Sequence, residues 1–379
     1  MPRLETSLAM TEKIDCHEPQ ALAMTKRRNN KTKNNKKLTI MKKILFSILA
    51  MAAMAACATD ETVVASKGEA IEFGNAFVDN SVRATDPSHT ANGIDSFKVY
   101  GTVDGGQGAV LIYPGTVVSR TKTGETDKAY GTEGWFCDVK QYWVAGANYN
   151  FVGIVDGEVS RVTETVLTNN MPTTIKYTAD GATDLLCQTI TKTASTDGSS
   201  NGLVAFTFQH LLSKVNFTVT NGSTEAEGYS FVVKNIKFSG NTYGECDVQY
   251  PTTNTSAKAV WNSEKFTTGD TFVGNTREVG GNTVKDIVVA TGAASKDLAT
   301  EVLFLPGTYT ISFTVDILCN GTLLNSTNYP TTGTYEYTLV ENNAYNFNVA
   351  VSVGELIEFT ATQMGGWDNA GTTTTVTLQ

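Results

Sequence analysis

The sequence predicts an all-β protein built as two antiparallel β-sandwiches in tandem, and three features predict it. Alternation of apolar and polar residues with period two recurs through the chain after Cys57, where a helical period of 3.6 is hard to find. Thr, Val, Tyr and Phe fill the alternating stretches, supplying the β-branched and aromatic side chains that suit a pleated sheet. Gly-rich turns such as Asp104-Gly105-Gly106 and Gly280-Gly281-Asn282 separate them. With 41% apolar and 18% charged residues, the composition is that of a globular chain rather than a disordered one.

Taken in chain order, Ala70–Phe77 (AIEFGNAF) places Ile71, Phe73 and Phe77 on one face, with Asn75 the exception, and reads as a half-buried strand. Ser213–Thr220 turns Val215, Phe217 and Val219 one way, and Tyr309–Ile317 does the same with Tyr309, Ile311, Phe313, Val315 and Ile317. Tyr345–Val353 repeats the pattern. Thr193–Gly202 (TASTDGSSNG) breaks it with a run of small polar residues. The expected organisation is an N-terminal sandwich over residues 70–192, a linker over 193–202 and a C-terminal sandwich over 203–379, after a tether at 57–69. Gly371–Gln379 (GTTTTVTLQ) also alternates; it reads either as a strand to donate or as the last strand of the C-terminal sandwich.

The N-terminal region reads as an export signal. Met41-Lys42-Lys43 is a short basic segment, and residues 44–56 are apolar apart from Ser47, too short to span a bilayer. Ala55 and Ala56 then precede Cys57. Cleavage between Ala56 and Cys57, with Cys57 acylated, is expected of a bacterial lipoprotein; the competing reading is an ordinary signal peptide with a Cys there by chance. A complete signal begins at Met41, so residues 1–40, including the basic Asn-rich run at 26–37, read as an over-extended start. Residues 1–56 hold 11 basic and 4 acidic side chains, leaving 18 basic against 34 acidic from Cys57 onward, a formal charge of −16. A body that acidic repels nucleic acid and anionic headgroups, so neither is expected as a partner.

No catalytic or cofactor constellation is present. Of three histidines, His17 precedes the signal, His89 sits in a turn-like SHTANG, and His210 in FQHLLSKV reads as structural. There is no metal-binding His pair or P-loop, and the Asp180–Asp184 loop lacks the alternating oxygen ligands of a calcium site. Cofactors and metals are therefore not expected, nor is enzymatic activity. Cys137, Cys187, Cys246 and Cys319 allow two disulfides in an oxidising compartment, but buried free thiols suit their strand-like settings better. Trp135, Trp143, Trp261 and Trp367 read as core or core-edge residues, with sugar-stacking platforms the alternative.

Several of these segments, in this order, resemble the fimbrillins, the type V pilin subunits of Bacteroidales. The resemblance rests on AIEFGNAF and VRATD (Ala70–Phe77, Val82–Asp86), on GWFCDVKQYWVAGANYNFVGIV (Gly134–Val155) and on DLLCQT (Asp184–Thr189). It continues through VAFTFQHLLSKVNFTVT (Val204–Thr220), the most specific piece, VLFLPGTYTISFTV (Val302–Val315) and GGWDNAG (Gly365–Gly371). The resemblance implies two transthyretin-like β-sandwich domains in a fimbrial subunit exported as a lipoprotein to the outer membrane and cell surface, supporting adhesion. It further implies maturation by an Arg-specific surface protease, removal of the first strand, and assembly with other fimbrial subunits by β-strand exchange. In this sequence the cut maps to Arg83–Ala84, in a turn-rich stretch open to a protease, against the plain reading of Arg83 as a solvated loop residue. The displaced strand would carry Ile71, Phe73 and Phe77. A C-terminal strand kept in its own sandwich would suit a tip or accessory subunit. The rival function is a surface glycan-binding lipoprotein of a sugar-uptake system, which exposed, coplanar aromatic side chains on one sheet face would favour.

Overall fold

The computed structural model describes residues 69–78, 94–120, 135–155, 162–169, 171–197, 201–222, 228–252, 254–353, 357–367 and 374–378. The expected over-extended start at 1–40, the expected signal at 41–56 and nearly all of the expected tether at 57–69 lie outside them. Residues 67–379 form one compact unit. Among the described residues, strands make up nearly all of the regular structure, the exception being a single turn of 3-10 helix at Ser263–Lys265. The all-β expectation holds.

The first sandwich sets a six-stranded antiparallel sheet against a two-stranded ribbon. The sheet runs Thr255–Lys258, Leu186–Thr193, Asn148–Val155, Ser96–Asp104, Val110–Ser119 and Phe136–Cys137. The ribbon pairs Phe73–Val78 with Val204–Phe208 in parallel. Phe97, Tyr113, Tyr149, Phe151, Phe206 and Phe208 fill the space between them. The second sandwich packs a sheet containing Ser213–Asn221, Asn343–Val351, Glu358–Gly366 and Thr374–Leu378 against a ten-stranded sheet centred on Tyr229–Asp247 and Gly307–Cys319. Pairing is antiparallel except in the ribbon and between Ser213–Asn221 and Asn343–Val351. Parallel neighbours require a crossover, and in both cases a long stretch of chain intervenes.

The 19-residue strand Tyr229–Asp247 shows how local chemistry preserves a buried face. Phe231 and Val233 point into the core, and so do Ile236 and Phe238, a spacing that strict alternation forbids. Asn235, at φ 52°, absorbs the extra residue, and the register with Gly307–Cys319 shifts between Lys234 and Lys237. Asn tolerates the left-handed conformation better than most residues, so the bulge costs little there.

The domain boundary departs from the expected one. Val204–Phe208, expected at the head of the C-terminal sandwich, pairs with the first strand and buries Val204, Phe206 and Phe208 in the N-terminal core. Val162–Thr168 and Met171–Thr178, expected in the first sandwich, join the ten-stranded sheet, and Thr255–Lys258 pairs with Leu186–Thr193 in the other direction. A third apolar core ties the halves together. Val152, Ile154, Leu185 and Cys187 supply one side, Ile175, Tyr177, Cys246 and Val248 another, with Leu211, Leu212 and Leu305 between. Burying those two leucines next to the expected linker favours the joined arrangement, because a flexible hinge would leave them in water.

Candidate functional site

The candidate site is the groove that the first strand occupies. Ile71 N–H donates to the Gln141 carbonyl at 2.8 Å, Trp143 N–H to Glu69 at 2.9 Å and Val204 N–H to Glu72 at 2.8 Å. The segment is thus stitched on one side to residues 141–143 and on the other to Val204–Phe208, where Phe73 pairs with Val204 and Val78 with Phe208. Ile71 and Phe73 are buried, at 5% and 3% exposure. The register breaks between Gly74 and Phe77, and Ala76 takes a buried position. The alternation read from the sequence therefore holds as far as Phe73. The Phe77 backbone pairs with Thr207, and its side chain lies outside the described residues.

The floor of the groove is aromatic. The Phe73 ring lies 5.3 Å from Tyr113, 6.3 Å from both Phe97 and Phe151, and 6.5 Å from Phe206, mostly edge-on, the geometry that aromatic quadrupoles favour. Two glycines make the close packing possible. A Cβ on Gly153 would sit 2.8 Å from the Phe208 ring, and one on Gly101 2.9 Å from Tyr113. Trp143 packs edge-on to Tyr149 at 4.6 Å, and the Tyr149 hydroxyl accepts from the Val144 N–H at 2.7 Å. Burial pushes the Tyr113 and Tyr149 phenols up, so both stay neutral and the floor carries no charge.

One end of the groove is polar. Glu69 Oε2 accepts from the Asn201 backbone N–H at 2.6 Å and from Asn201 Nδ2 at 3.2 Å. Asn201 is itself fixed by the Ser195 N–H, which donates to its Oδ1 at 2.6 Å. Lys192 lies beside it, its Nζ donating to the Asn201 and Leu203 carbonyls and standing 5.1 Å from the centre of the Trp143 ring. Burial lowers the Lys192 pKa, and the Glu69 carboxylate opposes that shift. Nothing in the sequence marks Glu69, Lys192 or Asn201. Val204–Thr220 stands out by its resemblance, but nothing local assigns Val204–Phe208 to the first sandwich.

Other candidates resolve into structural roles. Asp180 Oδ1 accepts from the Ala182 and Thr183 N–H groups, closing a turn in the Asp180–Asp184 loop. His210 Nδ1 lies 2.5 Å from Asp184 Oδ2, and its ring stacks on Trp367 with centroids 3.7 Å apart. Trp135 and Trp143 are buried, and Trp261 donates to the Leu211 carbonyl at 2.6 Å. These tryptophans form no exposed coplanar platform of the kind a glycan-binding surface needs. All four described cysteines are free thiols. Thr374–Leu378 pairs with Glu358–Gly366 as the outer strand of its own sandwich. Cys57, Ala56, Arg83 and Ala84 lie outside the described residues.

A family model described as fimbrillin-like matches residues 82–367, about three quarters of the chain. The chain belongs to the fimbrillin-like family. No curated protein matches it. Among solved structures, a fimbrial protein from Bacteroides vulgatus is 13% identical, with 78% of this chain and 99% of that one covered and a TM-score of 0.47. A fimbrial assembly protein from Parabacteroides distasonis is 14% identical over 81% and 97% of the two chains, with a TM-score of 0.35. The fimbrial anchor protein Mfa2 from Porphyromonas gingivalis is 11% identical over 79% and 99%, with a TM-score of 0.33. Membership in this family makes the protein a fimbrial, cell-adhesion type of chain. Among its described residues no helix is long and apolar enough to cross a membrane.

Proposed function

We propose that this protein is a structural subunit of surface fimbriae, exported to the outer membrane as a lipoprotein acylated at Cys57 and assembled by protease-triggered strand exchange. The observation that supports the reading most is the seating of the first strand. Phe73 fills an aromatic groove whose walls and floor all come from later parts of the chain. Each buried apolar side chain contributes roughly 1.5–3 kcal/mol, so loss of the strand leaves an apolar slot beside unpaired backbone. Such an edge takes up another strand by β-augmentation. In sequence Arg83 lies between the first strand and the strand Ser96–Asp104; cleavage at Arg83–Ala84 by an Arg-specific surface protease would free the first strand to leave. The last strand is placed in its own sandwich, which suits a tip or accessory subunit that accepts a strand.

The test is to treat the purified protein with an Arg-specific protease, sequence the new N-terminus and follow oligomers on native gels. A new N-terminus at Ala84 is expected, with slow, concentration-dependent oligomer growth once other fimbrial subunits are added. Oligomers that form equally without cleavage, or from the Arg83→Ala variant, would overturn the mechanism.

A further inference from the structure

The polar end of the groove has the composition of a carboxylate receptor. Lys192 and Asn201 belong to neither the first strand nor its connection to the body, so they remain with the groove when that strand is removed. Lys192 is held by two backbone carbonyls and the face of Trp143, and Asn201 by Ser195. In the closed subunit the Glu69 carboxylate occupies this position, two residues ahead of Ile71 and four ahead of Phe73. We propose that Lys192 and Asn201 form a carboxylate-binding site that selects the incoming strand. That strand is an extended segment of another fimbrial subunit with an acidic residue two positions from the first of two alternating large apolar side chains. The inference rests on the strand-exchange reading above and adds the rule by which the groove chooses its occupant.

The physical argument is one of pairing. A half-buried ammonium facing two neutral carbonyls and an aromatic face has no opposite charge among those partners, and a carboxylate held by the neighbouring Asn201 amide supplies one. A strand that fills the apolar slot without a carboxylate leaves the Asn201 N–H and Nδ2 groups without the acceptor they have in the closed state. The groove also sorts by size. It holds large side chains at the positions of Ile71 and Phe73 and small ones at Gly74 and Ala76, which are buried. Gly371–Gln379 of this chain has no acidic side chain, with Val376 and Leu378 as its only strong apolar residues. It lacks a carboxylate side chain two positions from an alternating apolar pair, so the rule points to a different subunit as the partner.

The experiment uses the full chain with a protease recognition sequence inserted between Val78 and Ile94, cut and then challenged with fluorescent peptides. One peptide covers residues 67–80, and the other carries Glu69→Gln. Binding of both is expected, the Glu69→Gln peptide being about 10-fold weaker, because its amide oxygen still accepts from Asn201 and only the charge assistance is lost. The preference should shrink in raised salt and in a Lys192→Gln chain. If Lys192→Gln does not fold, the peptide comparison on the unaltered groove carries the test alone. Equal binding of the two peptides would overturn the carboxylate site and leave strand exchange standing. Binding of neither peptide would overturn both.

Discussion

Replacing Phe73 with Ala separates a detachable strand from an integral one. Phe73 is 3% exposed and touches four aromatic rings, so the substitution removes a complete buried side chain and leaves a cavity over the groove floor. Phe→Ala at such a site costs about 3–5 kcal/mol. If the first strand docks as its own cooperative unit, that loss falls on docking alone. Opening of the Val204–Phe208 amides would then become about two to four orders of magnitude more frequent, at 1.36 kcal/mol per decade. The second and third cores contain no residue of the strand, so their amides should keep their protection and the main thermal transition should stay in place. Native-state hydrogen exchange read by mass spectrometry resolves the two regions. Uniform acceleration across the molecule, with a transition lowered by the full cost, would show that the strand is part of one cooperative fold and is not poised to leave.

Three further outcomes follow from the packing. Gly153→Ala places a methyl 2.8 Å from the Phe208 ring in mid-strand, and overpacking should cost about 1–3 kcal/mol in urea unfolding; an unchanged midpoint would mean that the ribbon yields freely. Alkylation at pH 8 should leave Cys187 and Cys246 unlabelled in the folded protein. Burial pushes the Cys187 thiol up to about 12 and Cys246 well above its ordinary value, so at pH 8 neither holds an appreciable thiolate fraction, and reactivity appears only on unfolding. Proteolytic nicking within residues 198–200 should give two fragments that co-elute on gel filtration, because Val204–Phe208 and Leu211–Leu212 lock them together; separate, folded fragments would contradict the third core.

The fold class was legible because antiparallel strands with one wet face write their period directly into the sequence, as Tyr309–Ile317 does. The boundary between the halves was not. Asn148–Val155 buries Tyr149 and Phe151 in the first core and Val152 and Ile154 in the third, so apolar residues on both faces mask the alternation. The polar run at 193–202 looks like a linker, yet Ala194 within it is buried and its N–H donates to the Ala147 carbonyl. In the groove, Ile71 and Phe73 could be read from spacing alone. Lys192 and Asn201 could not, because Asn201 meets Glu69, and Lys192 meets Trp143, only across the folded groove. Long-range parallel pairing leaves no local trace.

The central claim is that the first strand is discarded on maturation so that another can take its groove. The most direct measurement is the N-terminal sequence of this subunit in filaments sheared from cells. The account predicts that it begins at Ala84, with residues 57–83 lost. A subunit that enters filaments with its N-terminus at Cys57 and Phe73 still in place would contradict it.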